Sequence, residues 1–330
     1  MLQTFEIKRI SALIIAYQRP ENVERILAEV VSAGIKEIFV SLDYPKVSNV
    51  ESLHRHNEII KIVHRLSLDS TLRVNLSVFS QNVGCGVAVT TACDWFFNCV
   101  GLGIVLEDDC IPTSGFFTYM QFALKQLEST PDIYVASGTR LHPCTEEGAR
   151  WELNTFPVFW GWGSSTNKWK DISSQIRRPL PPLKKYPKPF SIRSVYWRAG
   201  SRRVREGYVD TWDTVVSELF HRLDLKNLSP SKSLVKNVGN DQHATHKMSS
   251  IHNQPTASQN FLEPSAAPLF SPVNNRICGR YLYRYRVRHV FTTALTRLLD
   301  HTIRRSHSSI SFVRRLESST EFYAVREIAK

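Results

Sequence analysis

A chain of 330 residues, 42% hydrophobic and 22% charged, has the composition of a globular protein with one large domain or two smaller ones. No apolar run reaches the roughly 18–20 residues of a membrane-spanning helix. The six cysteines, at 85, 93, 99, 110, 144 and 278, form no CxxC pair, which speaks against a zinc knuckle or disulfide frame and suits reduced thiols in the cytosol.

The start of the chain carries Glu6 and no small-residue cleavage site, so its apolar stretch reads as a buried strand and not as a signal peptide. That strand is Ile10–Ala16, a continuous apolar run suited to burial on both faces. Pro20 opens a helix with Val23, Ile26, Leu27, Val30 and Val31 at helical spacing, and Gly34 stops it. Ile35–Leu42 predicts a second strand, ending at Asp43, and Arg73–Ser80 a third; no element is assigned between them. A helix over Val87–Cys99 leads to a fourth strand, Gly103–Leu106, followed by a helix over Gly115–Ser129 and a strand at Ile133–Ser137. This alternation predicts the α/β class, with a Rossmann-like, mostly parallel sheet covered by helices. Ligands of such sheets collect beyond the carboxyl ends of the strands. Those ends carry Tyr17-Gln18-Arg19, Asp43, Gln81-Asn82 and Glu107-Asp108-Asp109.

Farther along, Phe156–Gly163 is aromatic and broken by glycine, and a helix is expected near Thr166–Ser174. Pro179–Pro189 holds five prolines and predicts an extended loop. Helical pattern returns over Thr214–Leu225, and a short strand is expected near Ser233–Val238. Residues 249–275 read as a linker rich in Ser, Pro, Asn and Gln, and 276–330 as a basic helical tail. The formal net charge of +12 is uneven: the tail holds 12 Lys and Arg against 4 Asp and Glu, and residues 176–205 hold 10 basic side chains and no acid.

The sharpest chemical feature is IVLEDDC, residues 104–110, where a buried strand ends abruptly in three acids. Clustered carboxylates repel one another and favour a cation. Mg²⁺ or Mn²⁺ is typically held by one or two carboxylates, with substrate phosphates completing the shell. A solvated strand end or helix start is the alternative.

The motif resembles the Asp-x-Asp signature of GT-A glycosyltransferases, with Glu107 in the first position and Asp109 in the last. LIIAYQRPENVERIL, FVSLDYP and QNVGCGVAVTTACDWFF resemble the family's earlier segments. FWGWGSSTNKW, YVDTWD and NVGNDQHATHK resemble later blocks of a bacterial, hemolytic-protein-like subgroup. The resemblance covers residues 10–247 and implies a GT-A domain over 1–248, with a nucleotide-binding half (1–140) and an acceptor half (141–248). It implies transfer of a sugar from a nucleotide-diphosphate donor, by default a UDP-sugar, to a glycan or lipid-linked acceptor. The implied setting is the cytoplasm, peripheral to the inner face of the membrane. Asp109 would ligate the metal, Glu107 and Asp108 would contact the metal shell or ribose, and Tyr17, Arg19 and Asp43 would line the nucleoside pocket. Asn82 and Gly84 would lie near the base or ribose.

An inverting transferase also needs a carboxylate base for the acceptor hydroxyl. Asp213 is the favoured candidate, with Asp210 beside it; the alternative for Asp213 is a helix cap. Trp160, Trp162 and Trp212 are candidates for stacking on sugar rings, or else core residues. His246 is implied as a further metal or diphosphate ligand, although His243 departs from the family there. Asp43 has a second reading as a turn residue before Pro45.

The basic 176–205 stretch could face an anionic acceptor or the diphosphate, and the tail could lie on an anionic membrane. No recognised module supports nucleic-acid binding. A non-catalytic protein that binds nucleotide sugar, nucleic acid or membrane is the alternative to an enzyme.

Overall fold

The computed structural model describes residues 10–46, 49–140, 151–239, 315–316 and 323–327. The first half alternates β1 (Ile10–Ala16), α1 (Pro20–Ser32), β2 (Glu37–Leu42), α2 (Val50–Ser67), β3 (Arg73–Phe79), α3 (Cys85–Cys99) and β4 (Leu102–Glu107). Then follow β5 (Cys110–Pro112), α4 (Ser114–Ser129), β6 (Ile133–Ser137), β7 (Trp151–Asn154), β8 (Trp162–Ser165) and α5 (Thr166–Arg177). The last described elements are α6 (Ile192–Arg205), α7 (Asp213–Leu223), β9 (Lys226–Pro230), β10 (Val235–Asn237) and β11 (Tyr323–Glu327). The elements expected from periodicity are present with ends shifted by a few residues. The helix α2, N-capped by Asn49, fills the interval left unassigned.

Nine strands form one sheet in the order β11-β3-β2-β1-β4-β8-β6-β9-β7. β1 to β4 run parallel, as do β6 and β9, whereas β7, β8 and β11 run antiparallel to their neighbours. Both faces are covered, and the central strands divide their side chains between two cores. Ala12, Ile14, Ile38, Val40, Ile104 and Leu106 pack with α1, α2 and α4. Leu13, Ile15, Phe39 and Val105 pack with α3, α5 and α7. This period-two division of near-continuous apolar runs is the mark of strands buried on both faces. The α/β expectation, with helices on both faces, describes this architecture.

Of the stretch expected as a basic helical tail, the described residues are 315–316, which are helical, and 323–327, which form a strand. β11 pairs antiparallel with β3, Tyr323 opposite Phe79 and Glu327 opposite Asn75. Residues 249–275 lie outside the described residues.

The proline-rich loop contains a single 3-10 turn, Leu183–Lys185, before α6, which was not expected from the sequence. α6 packs against α7, and the Ser194 hydroxyl sits 2.9 Å from Nε2 of His221. Burial first, and then the nearby charge of Arg193, push His221 below its ordinary 6.5 to about 4. The folded protein therefore binds fewer protons there than the unfolded chain between those values. Stability contributed by neutral His221 is present above about pH 6.5 and is lost as pH falls toward 4. A His221→Gln variant is expected to lose less thermal stability than wild type between pH 6.5 and 4. Parallel melting curves would reject the assignment.

Candidate functional site

The sheet order places β1 at a point of reversal. The chain proceeds from β1 through α1 to β2 on one side, and α3 later returns it to β4 on the other side of β1, across the opposite face. The crevice outside the carboxyl ends of β1 and β4 is thus a topological switch point, where sheets of this kind bind ligands. The loops that meet there are Tyr17–Arg19 and Glu107–Asp109.

The three acids at the end of β4 differ in their surroundings. Asp108 turns inward: Oδ1 accepts from Nη1 of Arg19 at 2.7 Å and Oδ2 from the Tyr17 backbone N–H at 2.8 Å. Its own N–H donates to the Ile15 carbonyl at 2.9 Å. Arg19 is 8% and Asp108 5% exposed, so this is a buried ion pair tying β1 to β4. Burial raises the Asp108 carboxyl despite the pull of Arg19. Both residues, expected on the donor, make these contacts within the brace.

Glu107 and Asp109, one residue to either side, are half-buried. Burial lifts Glu107 well above the usual carboxylate range, and the charges of Asp109, Asp108 and Asp213 lift it further. No described residue hydrogen-bonds the Glu107 carboxylate. Asp109 accepts from the Cys110 thiol at 3.1 Å. The short β5–β10 ladder then brings the chain back over it, with the Val238 N–H donating to the Asp109 carbonyl at 2.8 Å. At Gly239 a Cβ would stand 2.2 Å from Oδ2 of Asp109, so only glycine lets the backbone pass this close to the carboxylate. His246, seven residues on, lies outside the described residues.

A second knot lies at the ends of β2 and β3. Asp43 accepts through Oδ1 from the N–H groups of Tyr44 (2.9 Å) and Val83 (3.1 Å). Its Oδ2 accepts from Asn82 Nδ2 (3.0 Å) and the Gly84 N–H (3.3 Å). Burial pushes its carboxyl up to about 6 against the pull of these donors, and the charge of Asp210 adds to the rise. Asp43 thus braces the β3–α3 loop as well as its own turn. Asn82 also donates to the Tyr44 carbonyl at 2.7 Å. The Tyr17 hydroxyl accepts from the Lys46 N–H at 3.0 Å, closing the same rim.

Asp210, expected near the acceptor, binds the first N–H groups of α3, Cys85 at 2.9 Å and Gly86 at 3.0 Å. It caps a helix 125 residues earlier in the chain. Gly84, at φ +84°, gives it room: a Cβ there would lie 2.3 Å from Oδ2 of Asp210. Arg315 reaches the same carboxylate, with Nη2 3.9 Å from Oδ1. Nothing in the sequence pointed to Arg315, because the segment that carries it has no local link to the site.

Asp213 is half-buried and begins α7, with Trp212 and not Asp213 as the N-cap residue. Its Oδ1 accepts from the Thr211 hydroxyl at 2.5 Å. Its charge, like those of Asp109 and Asp108, raises the Glu107 carboxyl.

The tryptophan expectation needs correction. Trp162 is 0% and Trp212 2% exposed, and they pack on each other and on Phe159 and Trp169 in the core below α3, α5 and α7. Rings sealed among other rings cannot present a face to a sugar. Trp160 is half-buried beside the other core.

Among the described residues no three His, Cys, Asp or Glu side chains converge as a self-sufficient metal site. Glu107 and Asp109 remain a pair of hard oxygen donors whose mutual repulsion a divalent cation would relieve.

No protein-family model and no curated protein matches the chain. Among solved structures, a UTP-bound UGPase from Acinetobacter baumannii aligns with a TM-score of 0.37 at 12% identity, covering 68% of this chain and 86% of that one. A UDP-glucose pyrophosphorylase complexed with UDP-glucose aligns at 0.37 and 11% identity, covering 68% and 90%. A glycosyltransferase involved in glycosylation of the major capsid of PBCV-1 aligns at 0.24 and 11% identity, covering 54% and 70%.

Proposed function

We propose that the protein is a glycosyltransferase that moves a sugar from a nucleotide-diphosphate donor, a UDP-sugar by default, onto a hydroxyl of a glycan or lipid-linked acceptor. The observation that carries this reading is the pair Glu107 and Asp109 at the end of β4, beside the β1/β4 switch point, with the charge of Asp213 bearing on Glu107. Two of these acids suit a cation that faces a diphosphate, and the third suits a proton acceptor.

Asp109, with Glu107, would hold Mn²⁺ or Mg²⁺, which when bound stabilises the negative charge developing on the leaving diphosphate. The chain's own part is to place an acceptor hydroxyl and take its proton. Asp213 fits that task, because the Thr211 and Thr214 hydroxyls occupy Oδ1 and no described residue hydrogen-bonds Oδ2. The acceptor oxygen bonds to the anomeric carbon as the bond to the diphosphate oxygen breaks, and the nucleoside diphosphate leaves with the electron pair. This order of events inverts the sugar. Asp210 supports the site from behind as a cap on α3.

Nucleotidyl transfer is the second reading, and the β1–α1 connection weighs against it. Such enzymes need a glycine-rich, basic loop to wrap a triphosphate. Here Pro20 opens α1 directly after Tyr17-Gln18-Arg19, and Arg19 is engaged by Asp108.

A thermal-shift panel tests both readings with nucleotide sugars, and with UTP plus a sugar 1-phosphate, each with and without Mn²⁺. A ligand at about 100 times its Kd adds roughly 2.7 kcal/mol to folded stability. A Mn²⁺-dependent shift with one nucleotide sugar is expected. Release of pyrophosphate from UTP and a sugar 1-phosphate would favour the second reading, and silence across the panel would remove the first.

A further inference from the structure

A surface distant in kind from the acidic crevice is formed by the segment between α5 and α6 and by the outer face of α6. The loop is strapped to the protein from within. Tyr186 is buried at 3% exposure, the Pro187 carbonyl accepts from the Ser194 hydroxyl at 2.7 Å, and the Pro181 carbonyl accepts from Arg198 at 3.1 Å. Several arginines are spent on the same strapping. Arg193 lies over the Phe156 ring at 4.1 Å, and Arg205 donates to the carbonyls of Ile176 and Arg178.

What this framework holds outward is of a different character. Lys184, Lys185 and Lys188 are exposed and make no hydrogen bond or ion pair to any described residue. Lys188 adopts a left-handed conformation, φ +48°, and two residues later Phe190 stands 88% exposed. Val195, 47% exposed, continues the apolar element onto α6, where Ala199 and Arg202 follow on the same face at helical spacing. That row lies about 100° around the helix from the Ser194/Arg198 row that the loop covers, so the two exposed sets adjoin. No acidic residue occurs between 176 and 205.

We infer that this face, centred on Phe190 with Lys184, Lys185 and Lys188, docks the protein onto an anionic lipid surface. The lysines match the headgroup charge, while the phenylalanine and valine match the boundary between headgroups and acyl chains. A nucleic acid would use the charge but leaves the aliphatic Val195 without a role, and it is read by several stacking rings where this face offers one. No helix among the described residues is long and apolar enough to cross a membrane. Gly200 of α6 packs against Thr214 in the first turn of α7, next to Asp213. Docking would therefore hold the bilayer one helix away from the acidic crevice. The inference stands on charge and exposure and does not depend on the sugar-transfer reading.

The test is co-sedimentation of the full chain with phosphatidylcholine vesicles, with and without phosphatidylglycerol, at rising NaCl. Binding is expected only with the anionic lipid and should weaken with salt. Lys184→Gln/Lys185→Gln/Lys188→Gln is expected to weaken it on the order of a hundredfold, roughly fivefold per charge. Phe190→Ser should weaken it on the order of tenfold, with both variants melting at the wild-type temperature because the altered side chains are exposed. Wild-type vesicle affinity in the triple variant would assign any binding to the basic residues beyond 276 and overturn the proposal. So would equal binding to neutral vesicles, or binding to an RNA oligomer but not to vesicles.

Discussion

Under the proposed sugar transfer, Asp109→Asn is expected to lower the rate by about two to three orders of magnitude, some 3–4 kcal/mol of lost transition-state stabilisation. The melting temperature of the ligand-free protein should stay level or rise slightly. The reason for the small rise is electrostatic. The charge of Asp109 is the leading electrostatic cause, after burial, of the raised Glu107 carboxyl, and the amide removes it while keeping the shape. In wild type a divalent cation would relieve the same repulsion, so Mn²⁺ should stabilise wild type and barely affect the variant. A variant that keeps both its Mn²⁺-dependent stabilisation and its transfer rate would show that Asp109 is no metal ligand and would place the cation elsewhere.

One residue away, Asp108→Ala should do nearly the opposite. The Asp108–Arg19 pair is sealed between the ends of β1 and β4, with side chains 7% and 10% exposed. Removing one partner of a buried pair leaves the other charge desolvated, at a cost of about 3–5 kcal/mol. For a domain of this size the melting temperature should fall on the order of 10 °C. The double change Arg19→Met/Asp108→Leu should recover part of that loss, because an apolar pair needs no counter-charge while the Tyr17 N–H still loses its acceptor. Urea denaturation of Arg19→Met, Asp108→Leu and the double change completes the cycle. A loss under about 1 kcal/mol for Asp108→Ala would mean that water reaches the pair and that Asp108 is open to a ligand after all.

The contrast between these neighbours marks how far the sequence alone reaches. Ile10–Ala16 and the run before Glu107 announced strands because an unbroken apolar stretch must be buried on both sides, and the two cores divide those residues accordingly. Helices α1, α3 and α4 followed from spacing of the same short range. The place of the acids at the carboxyl end of β4 also followed, since acids at the end of a buried strand have one end of the sheet to occupy. The Arg-rich α6 is not legible in the sequence, because its polar, proline-preceded residues hide the helical period.

The sequence by itself determined the α/β class, the strands that carry the site and the cluster of acids at their ends. Only the tertiary structure decided what each acid does. Asp108 is bound by Arg19, Asp43 by a loop from the next strand, and Asp210 by the start of α3, while Glu107 is left without a hydrogen bond to a described residue and under the charges of Asp109, Asp108 and Asp213. Trp162 and Trp212 likewise became core residues only when α3, α5 and α7 closed over them. The physical reason is range. Backbone periodicity is set by neighbours within a turn or two, whereas the partner of a buried carboxylate is set by whichever distant segment the packed sheet brings to it.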